Sequence, residues 1–334
     1  MAIKNSAPQR ATMSADAATF LAGRRSVRIP SPLVTLMTSP RMALRFRKRY
    51  QDQEDKVEES LVARYELQLE RNALAGVPVL EVKPPQVTRE FGDVIVLNVH
   101  GGGFFLGTAR DRPSLMMAHE LGVRVISVEY ALAPEAPFPV ALEQCLDVYR
   151  QLVSEHDPRR IIGVSTSAGG AIQLGMMHKA RAEQLPMIAA LGLFTPGADI
   201  SGDGDSGVAN GNGRDTESTG MSLGFVRHYI GDADPHEPLV SPLYGDFADI
   251  FPPSIMTTGT RDFNMSSSIR LHEKLELAGI QSRLHIAEGM WHGFNYEPDL
   301  PEAVRARWMV NDFLRAALRG DPHHHNPSFE PRTA

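Results

Sequence analysis

Three side chains able to cooperate in acyl transfer, Ser167, Asp262 and His292, occur in that order along a chain of 334 residues. A serine hydroxyl is a poor nucleophile until an imidazole accepts its proton. The imidazole in turn needs a carboxylate to hold its tautomer and stabilise its charged form. Each of the three follows an apolar, strand-like run: Ile161 to Thr166 before Ser167, Ser254 to Thr258 before Asp262, and Ser282 to Ala287 before His292. Ser167 also opens Ser167-Ala168-Gly169-Gly170, ahead of a helix-compatible segment, Ala171 to Leu185. A strand, a sharp turn and a helix in that order lift the serine off the sheet, beside the positive end of the helix. Small neighbours are what such a turn requires, because strand and helix meet there with no room for side chains. Ser165 stands where the usual G-x-S-x-G pattern has its first glycine, which predicts a slightly altered turn.

A second stretch answers the first. His100-Gly101-Gly102-Gly103-Phe104 follows the strand-like run Asp93 to Val99. Three successive glycines leave backbone N–H groups unshielded and free to adopt positive φ. Such a run is expensive in conformational entropy, so its use predicts an oxyanion hole, paired donors aimed at charge developing on a carbonyl oxygen.

The elements needed to bring these pieces together are legible as alternating strands and helices. Val77 to Val82, Asp93 to Val99, Val123 to Val128, the strand at Ile161, Ile188 to Phe194, Ser254 to Thr258 and Ser282 to Ala287 read as strands. Asp111 to Leu121, Val140 to His156, Ser267 to Ala278 and Pro301 to Leu318 read as helices between and after them. That alternation predicts an α/β fold with a mostly parallel sheet flanked by helices. The carboxyl ends of parallel strands share one edge, so residues far apart in sequence can converge there. The order Ser, Asp, His is the one expected of an α/β-hydrolase. Pro78 suits a sheet edge, and Tyr130 to Pro139, with three prolines, an extended loop.

Before Gly76 the texture differs. Arg41 to Ala75, free of Gly and Pro, reads as one helix, and residues 1–75 as a basic leader and helical cap. The catalytic domain is expected over 76–320, with the cap completed by about 197–235 and a disordered, His-rich tail at 321–334. The first fifty residues carry ten Lys and Arg against Asp16 alone. A patch for anionic lipid or nucleic acid is the sharper reading of that run, a cap over a pocket the plainer one. The Gly- and Asp-rich segment Gly197 to Gly220 lacks calcium-loop spacing and reads as a mobile surface insertion. A net charge of −6 gives no global affinity for nucleic acid. The single cysteine, Cys145, excludes an intrachain disulfide and favours the cytoplasm, and no apolar run is long enough to span a membrane.

Together, His100-Gly101-Gly102-Gly103-Phe104, Tyr130 to Pro139, Ser167-Ala168-Gly169-Gly170, Asp262 and His292-Gly293-Phe294 resemble the bacterial hormone-sensitive-lipase-type (family IV) esterases of the α/β-hydrolase superfamily. The resemblance runs from about Gly76 to Leu318, and Thr166 is similar to the subgroup with threonine before the nucleophile. It implies Ser167 as nucleophile, His292 as general base and then acid, Asp262 as its orienter, and the N–H groups of Gly102, Gly103 and Ala168 as the oxyanion hole. It also implies that His100 and Gly101 support the glycine loop, that Glu135 anchors loops around the site, and that short- to medium-chain acyl esters are the substrates. No metal or organic cofactor is implied, and a homodimer is compatible with it. Ala131 and Ser266 depart from the family's frequent arginine and second aspartate. A non-hydrolytic binder resembling the gibberellin receptors, or a dehydratase or amidase, are the other readings of the same scaffold; intact His292 opposes the first.

Overall fold

The computed structural model describes residues 6–24, 34, 36–211, 219–247 and 250–321. The expected tail after Asp321, the end of the Gly-rich segment at 212–218 and part of the basic leader (1–5, 25–33 and 35) lie outside these. Eight strands form one sheet: β1 (Gln68–Leu74), β2 (Val77–Lys83), β3 (Ile95–Val99), β4 (Arg124–Val128), β5 (Ile161–Thr166), β6 (Ala190–Phe194), β7 (Ser254–Gly259) and β8 (Ser282–Ala287). Their spatial order is β1-β2-β4-β3-β5-β6-β7-β8. The first two pairings, β1 with β2 and β2 with β4, are antiparallel, and every later one is parallel.

Among the described residues before the sheet, a single turn α1 (Ala7–Arg10) is followed by α2 (Ala15–Gly23) and α3 (Pro40–Arg64). Within and after it come α4 (Arg112–Leu121), α5 (Val140–Glu155), α6 (Ala168–Ala182), α7 (Asp205–Ala209), α8 (Thr219–Ile230), α9 (Met265–Leu277) and α10 (Pro301–Leu318). Both faces of the sheet are covered, as a parallel sheet of apolar strands requires. On one face Ile95, Leu97 and Val99 pack with Leu146 of α5, Ile172 of α6 and Leu271 of α9. On the other, Val96 and Val164 pack with Leu115 of α4 and Phe313 of α10. The alternation of Ile95, Val96 and Leu97 between these two cores is the two-residue period of a strand.

The helix expected over Arg41 to Ala75 is corrected. It ends at Arg64, Glu66 takes a positive φ of 52°, and Gln68–Leu74 becomes the edge strand, so the sheet begins before Gly76. Strand β1 is exposed along most of its length, so it shows no hydrophobic alternation, and its conformation comes from pairing with β2. The two-residue turn Ala75-Gly76, with φ of 48° and 78°, joins them with Leu74 opposite Val77. Pro78 is accordingly not on the edge: β2 is the second strand, and β4 pairs with it from Val79 onward.

Candidate active site

The carboxyl ends of β5 and β7 and the loop after β8 meet over the middle of the sheet. Ser167, at the apex between β5 and α6, has φ 53° and ψ −120°, a conformation that non-glycine residues rarely adopt. The turn persists because strand and helix close on it: a Cβ at Gly169 would lie 2.1 Å from the Val99 carbonyl oxygen. Ser165 fits on β5 fully buried, its hydroxyl without a hydrogen-bond partner among the described residues.

The three expected side chains are brought together. His292 Nε2 lies 2.8 Å from Ser167 Oγ, and its Nδ1 lies 2.8 Å from Asp262 Oδ1. Because the buried carboxylate can only accept, Nδ1 carries the proton and Nε2 is left to accept from the serine hydroxyl. Asp262 is fully buried, and two further donors hold it: Thr258 Oγ1 reaches Oδ2 at 2.7 Å and the Asn264 N–H reaches Oδ1 at 2.7 Å. The Phe263 ring stacks on His292, with centroids 4.2 Å apart. Thr258, Asn264 and Phe263 were not legible as site residues; the only local signal was an Asp followed two residues later by Asn, as in an Asx turn.

The glycine loop faces Ser167 across the cavity. Gly102 has φ 112°, and a Cβ there would meet the Leu106 carbonyl oxygen at 2.2 Å, so only glycine fits. The N–H groups of Gly102 and Gly103 donate to no other described residue, and that of Ala168 is an unpaired donor at the first position of α6. Beneath the loop, His100 is buried, with Nδ1 2.8 Å from the Gly101 carbonyl oxygen and its ring stacked on Tyr130 at 4.1 Å. Burial lowers its pKa to about 4, so it braces the loop as a neutral ring. The Tyr130 hydroxyl donates to the His100 carbonyl at 2.8 Å. Glu135 has a partner in another element that sequence reasoning missed. Arg47 of α3 pairs with it at 2.7 Å and also donates to the Phe105 carbonyl at 2.7 Å. That hydrogen bond from Arg47 holds the Glu135 carboxyl below its usual range.

A cavity of about 700 Å³ opens above Ser167 and His292. Gly102, Gly103 and Ala168 line its floor, Phe46 and Tyr50 of α3 and Phe20 of α2 its outer wall, and Val226 of α8 its far side. Phe20 stacks on Trp291, the neighbour of His292, at 4.3 Å. The described part of the Gly-rich segment lies at the surface, with Gly202 to Asp205, Val208 and Ala209 exposed, yet it is anchored. Ser206 and Asn210 are buried; Asn210 Nδ2 donates to the Asp262 carbonyl at 3.0 Å, while Ser206 and Ser266 exchange hydrogen bonds of 3.0 and 2.8 Å. Ser266 thus ties this segment to the loop that carries Asp262. Among the described residues no cluster of His, Cys, Asp and Glu is arranged to hold a metal ion, and no helix is long and apolar enough to cross a membrane.

Residues 96–296 match an alpha/beta hydrolase fold family model. The chain is 35% identical over 272 residues to the Mycobacterium tuberculosis (strain ATCC 25618 / H37Rv) protein named acetyl-hydrolase LipR, covering 79% of this chain and 83% of that one. It superposes on the crystal structure of an esterase, E25, with a TM-score of 0.83 at 28% identity, covering 95% of this chain and 97% of that one. An esterase from the bacterial hormone-sensitive lipase family matches with a TM-score of 0.73 at 27% identity, over 87% and 99% of the two chains. The chain belongs to the hormone-sensitive-lipase-type esterase family of the α/β-hydrolase fold.

Proposed function

We propose that the protein is a serine carboxylesterase that hydrolyses short- to medium-chain acyl esters through an acyl-enzyme. The observation that carries this reading is the unbroken chain Asp262–His292–Ser167, with both links at 2.8 Å, opening onto one cavity with the glycine loop. Ser167 Oγ attacks the ester carbonyl while His292 Nε2 takes its proton. The N–H groups of Gly102, Gly103 and Ala168 receive the negative charge that develops on the carbonyl oxygen. His292 then protonates the departing alcohol, and water activated by the same imidazole releases the acid. Asp262 stabilises the imidazolium at each stage without being protonated itself. The cavity volume supports modest acyl and alcohol groups. A cytoplasmic location is supported by the lone cysteine, which is buried in α5.

The reading is tested by hydrolysis of p-nitrophenyl esters from acetate to palmitate, by wild type and Ser167→Ala. The expected rate peaks at short chains and collapses in the variant by roughly 10⁴-fold or more. Activity confined to amides, or retained in Ser167→Ala, would overturn it.

A further inference from the structure

The N-terminal half of α3 is peculiar in what it leaves exposed. Arg41, Arg45 and Arg49 recur every four residues and so form one stripe along the helix. All three are exposed, and among the described residues none has an acidic partner. Lys48 beside them is exposed and pairs with Asp52 on the next turn. Next to this stripe the helix presents Met42 and Phe46, 41% and 43% exposed, with Leu44 on its other side at 44% and Leu36, just before the helix, at 63%. These four are among the eleven large apolar side chains exposed among the described residues, and three of them lie on the helix that carries the chain's densest group of cations. The acidic residues of α3 lie in its second half, from Asp52 onward, so the helix is divided by charge in a chain whose net charge is −6.

The patch also has a position. Met37 and Phe46 line the mouth of the cavity above Ser167, while Leu36, Arg41, Met42, Leu44, Arg45 and Arg49 lie outside it. Cations alone would suit any polyanion. Apolar side chains interleaved with them suit a surface that offers both negative headgroups and a hydrocarbon layer just beneath. Nucleic acid offers a polar, charged backbone to such a face, and exposed Leu and Met side chains gain nothing there.

We propose that this half of α3 is a docking surface for anionic phospholipid bilayers, which it would engage peripherally with the cavity mouth turned toward the lipid. The arginine stripe draws the protein to the negative headgroups. Met42, Leu44 and Leu36 then reach the acyl boundary, and an ester dissolved in the interface meets the opening beside Phe46. The docking rests on the patch and not on the chemistry at Ser167, so failure of the esterase reading would leave vesicle binding intact.

The test is cosedimentation of the full-length protein with vesicles of phosphatidylcholine, with and without phosphatidylglycerol. Binding is expected only when phosphatidylglycerol is present, and should vanish near 1 M salt, where the screening length falls to about 3 Å. Arg41→Gln/Arg45→Gln/Arg49→Gln should weaken partitioning on the order of a hundredfold, roughly fivefold per cation. Leu36→Ser/Met42→Ser/Leu44→Ser should weaken it at least roughly tenfold with the arginines intact. None of the six residues lines the cavity, so both variants should hydrolyse a soluble ester at the wild-type rate, which also reports that they are folded. Absence of binding, equal binding to pure phosphatidylcholine, or indifference to either variant would overturn the proposal. So would displacement from the vesicles by duplex DNA combined with full binding of the Leu36/Met42/Leu44 variant, which would make the patch a nucleic-acid surface.

Discussion

Replacing Gly169 by alanine tests whether the turn at Ser167 is held by contact between α6 and β3. An alanine Cβ would lie 2.1 Å from the Val99 carbonyl oxygen and 2.5 Å from that of His100, whereas real Cβ contacts essentially never fall below 3.0 Å. Both obstructing atoms are backbone, so no side-chain rotation relieves them, and the helix start must retreat from the strand by about 1 Å. Ser167 lies two residues before Gly169, and His100 begins the loop that carries Gly102 and Gly103, so the retreat separates Ser167 from those N–H groups, the proposed nucleophile and oxyanion donors. A misplacement of that size costs roughly 10² in rate. Overpacking of this kind also costs about 1–3 kcal/mol of stability, a fall in Tm of roughly 1–4 °C for a chain of this length. The assay is kcat and KM on p-nitrophenyl acetate together with a thermal melt, with Gly170→Ala as the comparison. There the nearest atoms are Pro196 Cβ at 2.9 Å and Pro196 Cα at 3.1 Å, an overlap smaller by several tenths of an ångström, so the loss should be smaller. A Gly169→Ala protein with wild-type kcat, or one less impaired than Gly170→Ala, would refute the contact argument.

Three further outcomes are expected. Thr258→Val keeps the shape of β7 but removes the hydroxyl on Asp262 Oδ2. Loss of a hydrogen bond to a buried charged group should lower kcat about tenfold to a hundredfold with KM little changed, and an unchanged kcat would show that Asp262 needs only His292 and Asn264. Asp111 is buried, and burial raises its carboxyl to about 7, with Oδ2 unpartnered among the described residues. The folded state therefore binds its proton more tightly than the unfolded chain, and stability from this group falls as pH rises from about 4 through 7. Asp111→Asn should flatten that decline, so the difference in Tm between variant and wild type should grow in the variant's favour from pH 5 to pH 8; parallel curves would contradict the assignment. Ser165→Ala removes a buried hydroxyl that has no hydrogen-bond partner among the described residues, and should leave activity unchanged while raising stability by up to about 1 kcal/mol; a loss of activity would show that the hydroxyl shapes the turn.

Much of this site was legible because the information was local. The strand ends before Ser167 and Asp262 come from apolar runs, and the glycines at 101–103 and 169–170 are residues that only a tight backbone explains. What was not legible depends on segments meeting from far apart. Asn210 supports the Asp262 loop across more than fifty positions, and Arg47 reaches Phe105 and Glu135 from α3, yet neither residue has a local pattern that announces its partner. Strand β1 failed for the opposite reason: its composition favours helix, and only the hairpin with β2 makes it a strand.

The parallel core, the order of Ser167, Asp262 and His292 and the glycine loop can be read along the chain alone, since these follow from hydrophobic period and from the backbone freedom of single residues. Packing between distant segments sets the 2.8 Å from His292 to both Ser167 and Asp262, the walling of the cavity by α2 and α3, and which described cations of the basic leader remain exposed. Distances and exposure are properties of packing between elements, and no residue carries them alone.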